Sequence, residues 1–223
     1  YDMLIHDVAL QGLHVVLAVD RAGLVGEDGE THHGIFDVAF LDTVPGMTVL
    51  CPASFAEQEA MLTYAIRDCR GPVAIRYPRG REGRYAGMAG VTGAAVLRPG
   101  RDLTLVGYGT MVDPIMAAAD LLAKQGIEAE IVKLNSITPL ELETIKASVQ
   151  KTGRLLVAEE VVAHNCVGQR ILAGLALDGT APRAAALCNL GETSVTQGTV
   201  EQLRAMCGLD AESLCARGME VCG

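Results

Sequence analysis

Residues 103–133 read LTLVGYGTMVDPIMAAADLLAKQGIEAEIVK, and they decide the fold. The apolar run LTLVG (103–107) has the length and composition of a buried strand. It meets a tight turn at Gly107-Tyr108-Gly109, and residues 111–125 then carry helical periodicity. Gly126 ends that helix. IEAEIVK (127–133) returns as a second strand. Two strands joined by a helical crossover lie parallel in one sheet.

The alternation continues toward the C-terminus. Pro139 opens a helix over 139–150, a position it favours. A strand follows at 154–158 (RLLVA), then a helix at 166–178, a strand at 184–189 and a helix at 199–206. Upstream, residues 80–102 hold many Gly, several Arg and Pro99, with weak periodicity, and read as an inter-domain linker that runs into the next domain's first residues. Before them, 2–11 (DMLIHDVALQ) is a helix with Met3, Leu4, Val8 and Ala9 on one side, and Gly12 ends it. LHVVLAV (13–19) is a buried parallel strand. A loop rich in Gly and charge runs from Asp20 to Gly34. MTVLC (47–51) and VAIRY (73–77) are further strands, separated by a helix over about 55–69 with Ser54 as its N-cap. The sequence therefore predicts an α/β protein of two domains, 1–90 and 91–223, each with a mostly parallel sheet flanked by helices.

Composition narrows the function. The chain has 18 basic and 27 acidic residues, a formal charge of −9, which disfavours nucleic-acid binding. Distant charges are screened beyond about 8 Å. One nearby Arg therefore still attracts a small phosphorylated ligand, with roughly 4 kcal/mol of Coulomb energy at 4 Å and an effective dielectric near 20. Trp is absent and aromatics are few, so the core is aliphatic. Seven Cys, an odd number with no CxxC, read as reduced thiols of a cytoplasmic protein. No run of about 18 apolar residues lacks charges, so no membrane span is expected, and no signal peptide is seen.

In open α/β sheets ligands bind at the carboxyl ends of strands. Two such ends carry chemistry-bearing residues. Asp20-Arg21-Ala22-Gly23-Leu24-Val25-Gly26-Glu27-Asp28-Gly29-Glu30-Thr31-His32-His33-Gly34 follows the first strand. Its glycines permit close backbone approach, Arg21 suits bidentate phosphate binding, and His32 can donate a hydrogen bond or move a proton. A solvated loop with local turn bonds is the alternative. Arg76-Tyr77-Pro78-Arg79-Gly80 follows the third strand. Strand alternation puts Arg76 and Arg79 on opposite sides, and Arg79, at the end, is the better ligand candidate against two ordinary surface arginines. Gly107-Tyr108-Gly109 lacks a dinucleotide fingerprint and reads as a turn. Glu159-Glu160 with His164-Asn165 matches no metal spacing and reads as structural or as a subunit contact. His6 and His14 read as structural histidines.

The chain resembles the C-terminal part of the 1-deoxy-D-xylulose 5-phosphate synthases, thiamine-diphosphate enzymes of the transketolase superfamily. The resemblance is carried by YDMLIHDVALQ (1–11), DRAGLVGEDGETHHGIFDVAFL (20–41), VPGM (44–47), RYPRG (76–80), LVAEE (156–160) and NLGETSVTQGT (189–199). Ser194-Val195-Thr196 departs from the bulkier, more aromatic sequence usual in that last stretch. The resemblance implies a pyrimidine-binding domain followed by a transketolase C-terminal domain. It also implies condensation of pyruvate with D-glyceraldehyde 3-phosphate to 1-deoxy-D-xylulose 5-phosphate and carbon dioxide. That reaction opens non-mevalonate isoprenoid synthesis, and its product feeds thiamine and pyridoxal phosphate synthesis.

By the same resemblance, Arg21 and Arg79 bind the aldehyde's phosphate, and Asp28 and His32 line the pocket, with His32 assisting proton transfer. His33 has no implied role. The family holds thiamine diphosphate and magnesium through a Gly-Asp-Gly motif and activates the cofactor with a Glu. Glu27-Asp28-Gly29 lacks the first Gly, and both features are expected in an N-terminal part of the same polypeptide. The expectation is a homodimer that binds neither nucleic acid nor membrane, with this portion inactive alone. Two other readings stand beside it. One is the small subunit of a split transketolase-like enzyme, which a first residue of Tyr1 rather than Met disfavours. The other is a non-catalytic interaction module, which the Arg21, Asp28, His32 and Arg79 set disfavours.

Overall fold

The computed structural model describes residues 1–223, with Glu27 described in its backbone only. Two sheets organise the chain. The first runs β1 (Val16–Val19), β3 (Val73–Arg76), β2 (Thr48–Leu50) and β7 (Ser136–Thr138). Its first three strands are parallel, and β7 is antiparallel to β2. The second sheet runs β4 (Ala94–Arg98), β6 (Ala129–Leu134), β5 (Leu103–Tyr108), β8 (Arg154–Ala158) and β9 (Ala184–Cys188). All its pairs are parallel except β4 with β6.

Helices α1 (Asp37–Leu41) and α2 (Phe55–Arg67) accompany the first sheet. Helices α3 (Val112–Lys124), α4 (Glu143–Thr152), α5 (Val167–Leu177), α6 (Val200–Met206) and α7 (Ala211–Cys222) accompany the second. Ser54 caps α2 by accepting from Glu57 N at 3.1 Å, as its position before the apolar periodicity predicts. Strands β5 and β8 are buried on both faces, which is why they read as continuous apolar runs, whereas the equally buried β6 carries Glu130 and Lys133.

Several local expectations are corrected. The run 13–19 forms a strand only over Val16–Val19, which is half-exposed because β1 stands at the sheet edge among the described residues. The stretch 80–102 contains β4, an antiparallel edge strand between glycines. Pro139 opens no helix. It follows β7 through a cis Thr138-Pro139 peptide, and α4 begins at Glu143, where the Glu141 carboxylate accepts from Thr144 N at 3.0 Å. Residues 4–9 wind as a π-helix, with Leu10 N bonding Ile5 O at 2.9 Å, and Met3 is exposed. The C-terminal tail is helix α7, capped by Asp210 through Ser213 N at 3.0 Å. It lies on α3 so closely that a Cβ on Gly218 would press to 3.1 and 3.2 Å on Leu122 and Leu103.

A fully buried polar network joins the two sheets. Lys133 on β6 extends its ammonium to Glu57 Oε2 of α2 at 3.0 Å and to Asn135 Oδ1 at 2.5 Å. The Glu57 carboxylate also accepts from Ala53 N, Tyr85 Oη and Ala89 N, so each charge is met by a counter-charge or a donor.

Candidate active site

Strands β1 and β3 are parallel neighbours in register, with Val19 opposite Arg76, so the segments that leave their carboxyl ends emerge side by side. Ala22 N donates to Tyr77 O at 3.0 Å and ties the two segments together. The loop that starts at Asp20 closes on itself. Gly23 N donates to Gly34 O at 2.8 Å, and Gly34 N returns bonds to Gly23 O and Arg21 O at 2.9 and 3.1 Å. A Cβ on Gly34 would sit 2.2 Å from Arg21 O, so only glycine closes the loop this tightly. Arg21 itself has φ +58, a left-handed backbone that a bulky residue adopts only under local constraint.

This closure brings together three of the four residues singled out by sequence. The Asp28 carboxylate accepts from Arg79 Nη1 through one oxygen and from Arg21 Nε at 3.4 Å through the other. Arg21 Nη1 also reaches Asp20 at 2.7 Å. The Arg79 hydrogen bond, helped by Arg21, holds the Asp28 carboxyl below its ordinary value of 3.8 against the opposing effect of desolvation. Two guanidiniums thus converge on one anion at the end of a parallel sheet. His32 lies on an exposed turn, and its Nδ1 stands 3.1 Å from Thr31 Oγ1.

Arg76 is not a surface arginine. It is buried, donates to Asp37 Oδ2 at 2.8 Å and to Gly34 O at 2.7 Å, and so holds the loop's closing end from behind. Burial works against its charge and Asp37 outweighs that effect, so its pKa lies above the ordinary arginine value. His33, left without a role by the sequence, is buried. Its Nδ1 accepts from Val25 N at 3.2 Å, which puts the ring proton on Nε2, 3.3 Å from Thr196 O. His14 bonds Ala65 O at 2.7 Å, while His6 is exposed.

The paired glutamates after β8 are both buried. Glu159 accepts from Tyr108 Oη at 2.8 Å and from Val167 N and Gly168 N, at the start of α5, at 3.0 and 2.9 Å. Glu160 accepts from Leu24 N, Thr110 Oγ1 and Arg204 Nε at 3.1, 3.1 and 2.5 Å. Next to Arg79, a cleft of about 450 Å³ opens where the carboxyl ends of β2, β3 and β5 meet, lined by Ser54, Pro78, Gly80, Thr110 and Asp113. Among the described residues no group of three or more His, Cys, Asp or Glu is placed to hold a metal ion.

Comparison with known proteins matches residues 1–83 to the transketolase pyrimidine-binding domain and residues 93–214, more than half of the chain, to the transketolase C-terminal domain. The chain belongs to the transketolase family. Among curated relatives of this transketolase chain, the 1-deoxy-D-xylulose-5-phosphate synthase of Chlorobaculum tepidum is 38% identical over 99% of the chain and 35% of its own length. That of Gloeobacter violaceus is 39% identical over 94% of the chain and 34% of its own length. The chain thus spans about a third of the length of the curated relatives it matches. Among solved structures, a split-gene transketolase, an inactive β4 tetramer, is similar with a TM-score of 0.81 and 26% identity, covering 99% of this chain and 71% of that one. A transketolase mutant from Pichia stipitis shares the fold with a TM-score of 0.75 at 18% identity, covering 96% of this chain and 31% of its own.

Proposed function

We propose that this chain supplies the aldehyde-binding side of a thiamine-diphosphate-dependent transferase. The reaction condenses pyruvate with D-glyceraldehyde 3-phosphate to 1-deoxy-D-xylulose 5-phosphate and carbon dioxide, the opening step of non-mevalonate isoprenoid synthesis. The observation that carries this reading is the convergence of Arg21 and Arg79 on one anion at adjoining strand ends. The names of the curated relatives support the choice of reaction. The proposal includes a division of the chain at about residue 90, with β7 of the later part reaching back to pair with β2. It also includes a cytoplasmic homodimer as the working form.

In this reading the aldehyde's phosphate takes the place that Asp28 now holds between the two guanidiniums. A phosphate carries more charge and more acceptor oxygens than a carboxylate, so the exchange runs in its favour. Asp28 is then released toward the substrate's hydroxyls, and His32, on the adjoining turn, is available for proton transfer. Two arginines from separate segments fix both the position and the orientation of the aldehyde. The residues of this chain do not fit magnesium or the cofactor's diphosphate: there is no Gly-Asp-Gly motif and no metal-ligand cluster among the described residues. Those groups are assigned to a separate part of the enzyme.

Arg79→Ala in the complete enzyme tests the clamp. The expected result is a large fall in kcat/KM for the aldehyde with unchanged folding, and wild-type kinetics would sink the assignment. A second reading, the small subunit of a split enzyme, is favoured by the split-gene transketolase, of whose chain this one covers 71%. Intact mass of the denatured enzyme separates them: one long species supports a single polypeptide, and two species support the split form.

A further inference from the structure

The clamp loop does not rest on its own domain alone. Leu24 N, three residues after Arg21, donates to Glu160 Oε2 at 3.1 Å, and the same oxygen accepts from Thr110 Oγ1 at 3.1 Å. The other carboxylate oxygen accepts from Arg204 Nε at 2.5 Å. Three donors from three segments thus meet one carboxylate: the clamp loop, the turn after β5, and α6. Helix α6 is itself fixed at its start by a capping box between Thr199 and Gln202. The loop backbone lies directly against this carboxylate, since a Cβ on Gly23 would fall 2.1 Å from Glu160 Oε2. Gly26 also lies close to Gly198 O, and His33 links Val25 N to Thr196 O.

We propose that Glu160 is a positioning residue through which the second domain sets the phosphate clamp. Arg21 sits in a left-handed conformation, which persists only where its surroundings over-determine it. The bond from Leu24 N to Glu160 is one of the constraints that over-determine it. The carboxylate is chemically specific. Both of its oxygens must accept, so an amide of the same shape turns its NH2 either toward Leu24 N or toward Arg204. Each choice sets donor against donor. The inference rests on the phosphate-clamp reading for its function, though the contact itself does not.

The test uses Glu160→Gln, which keeps the side chain's size, in the intact chain. Amide exchange is measured across residues 20–34 and across β5 and β8, and inorganic phosphate affinity is measured by calorimetry. Exchange in 20–34 is expected to accelerate while β5 and β8 stay protected. Phosphate affinity is expected to fall about fivefold, the loss of one buried hydrogen bond. A merely structural Glu160 would lower the melting temperature and leave phosphate affinity unchanged well below it. Unchanged exchange in 20–34 overturns the inference, and so does faster exchange with unaltered phosphate affinity. Should Glu160→Gln fail to fold, Arg204→Ala carries the same two readouts, because Arg204 is partly exposed on a short helix and holds the carboxylate in place. Arg21→Ala and Arg79→Ala are the controls for the underlying reading. If neither alters phosphate binding, the clamp is wrong, and the exchange data alone decide whether Glu160 pins the loop.

Discussion

Lys133→Met probes the buried junction between the two sheets. The Lys133 side chain has no solvent exposure, and its ammonium stands 3.0 Å from Glu57 Oε2 and 6.0 Å from the Tyr85 ring centroid. Burial pulls its pKa below the ordinary lysine value, and Glu57 restores only part of the loss. The folded pKa therefore lies below the unfolded one. Stability rises with pH across the window between the two values. Methionine keeps most of the stem and removes the charge. It leaves the Glu57 carboxylate with donors at 2.8, 2.8 and 3.1 Å but no counter-ion. Removing one partner of a buried pair costs about 3–5 kcal/mol, a large part of a total stability of roughly 5–15 kcal/mol. For a chain of this size that corresponds to a fall in Tm of about 6–20 °C. The assay is urea unfolding at neutral pH, with the midpoint expected to drop and the slope to stay constant. Adding Glu57→Gln to Lys133→Met neutralises the stranded charge and is expected to recover part of the loss. A cost below about 1 kcal/mol, the range of an exposed ion pair, would refute the reasoning.

Two further outcomes follow from the site. Asp28→Asn removes the anion that Arg21 and Arg79 now share, so the chain is expected to bind inorganic phosphate more tightly while the complete enzyme loses kcat. Weaker phosphate binding in calorimetry would contradict the exchange of Asp28 for substrate. The Arg79 hydrogen bond depresses the Asp28 pKa, so the pairing is present above the ordinary carboxylate range and is lost only as pH falls through the lowered value. A carboxyl NMR titration with its midpoint at or above 3.8 would count against the pairing. Burial pushes the Cys51 thiol up to about 12, so alkylation of the native protein at pH 8 should leave Cys51 unmodified until the chain is denatured. Native-state labelling at Cys51, read by peptide mass spectrometry, is the opposing result.

The fold was legible where burial makes the pattern simple. LTLVG, RLLVA and the helix between β5 and β6 read correctly because β5, β8 and α3 are packed around a continuous core. Strand β4 was not legible, because an edge strand paired only with β6 needs no long apolar run, and its flanking glycines look like a linker. Helix α7 carries buried Leu214, Cys215, Gly218 and Val221 at helical spacing, but Gly218 is there for close packing and weakens the helical signal. In the candidate site, the strand-end rule pointed to Arg21 and Arg79, which the fold brings to one carboxylate, since a loop after a parallel strand needs only its sequence position to be recognised. The same rule could not find their supports. Arg76 meets an Asp 39 positions away, and Glu160 meets a backbone amide 136 positions away. No local pattern encodes such a pairing, and Arg76 looks in sequence like any basic residue near a loop.

This difference also separates the two arginines of the proposed clamp. Arg79 lies three residues beyond β3, a central strand whose register with β1 and β2 is set by backbone pairing on both sides, and Tyr77 just after the strand still bonds Val19 O and Ala22 N. Its segment is anchored by the sheet. Arg21 lies two residues beyond β1, an edge strand, in a backbone conformation unfavourable to its own side chain. Its position follows from the closure of the loop: the bonds from Ala22 to Tyr77, between Gly23 and Gly34, and from Leu24 to Glu160. A clamp built this way has one arm fixed by a sheet and one arm held by contacts that reach into the second domain. Disturbing that domain should therefore move Arg21 and Asp28 relative to Arg79, rather than move the clamp as a body.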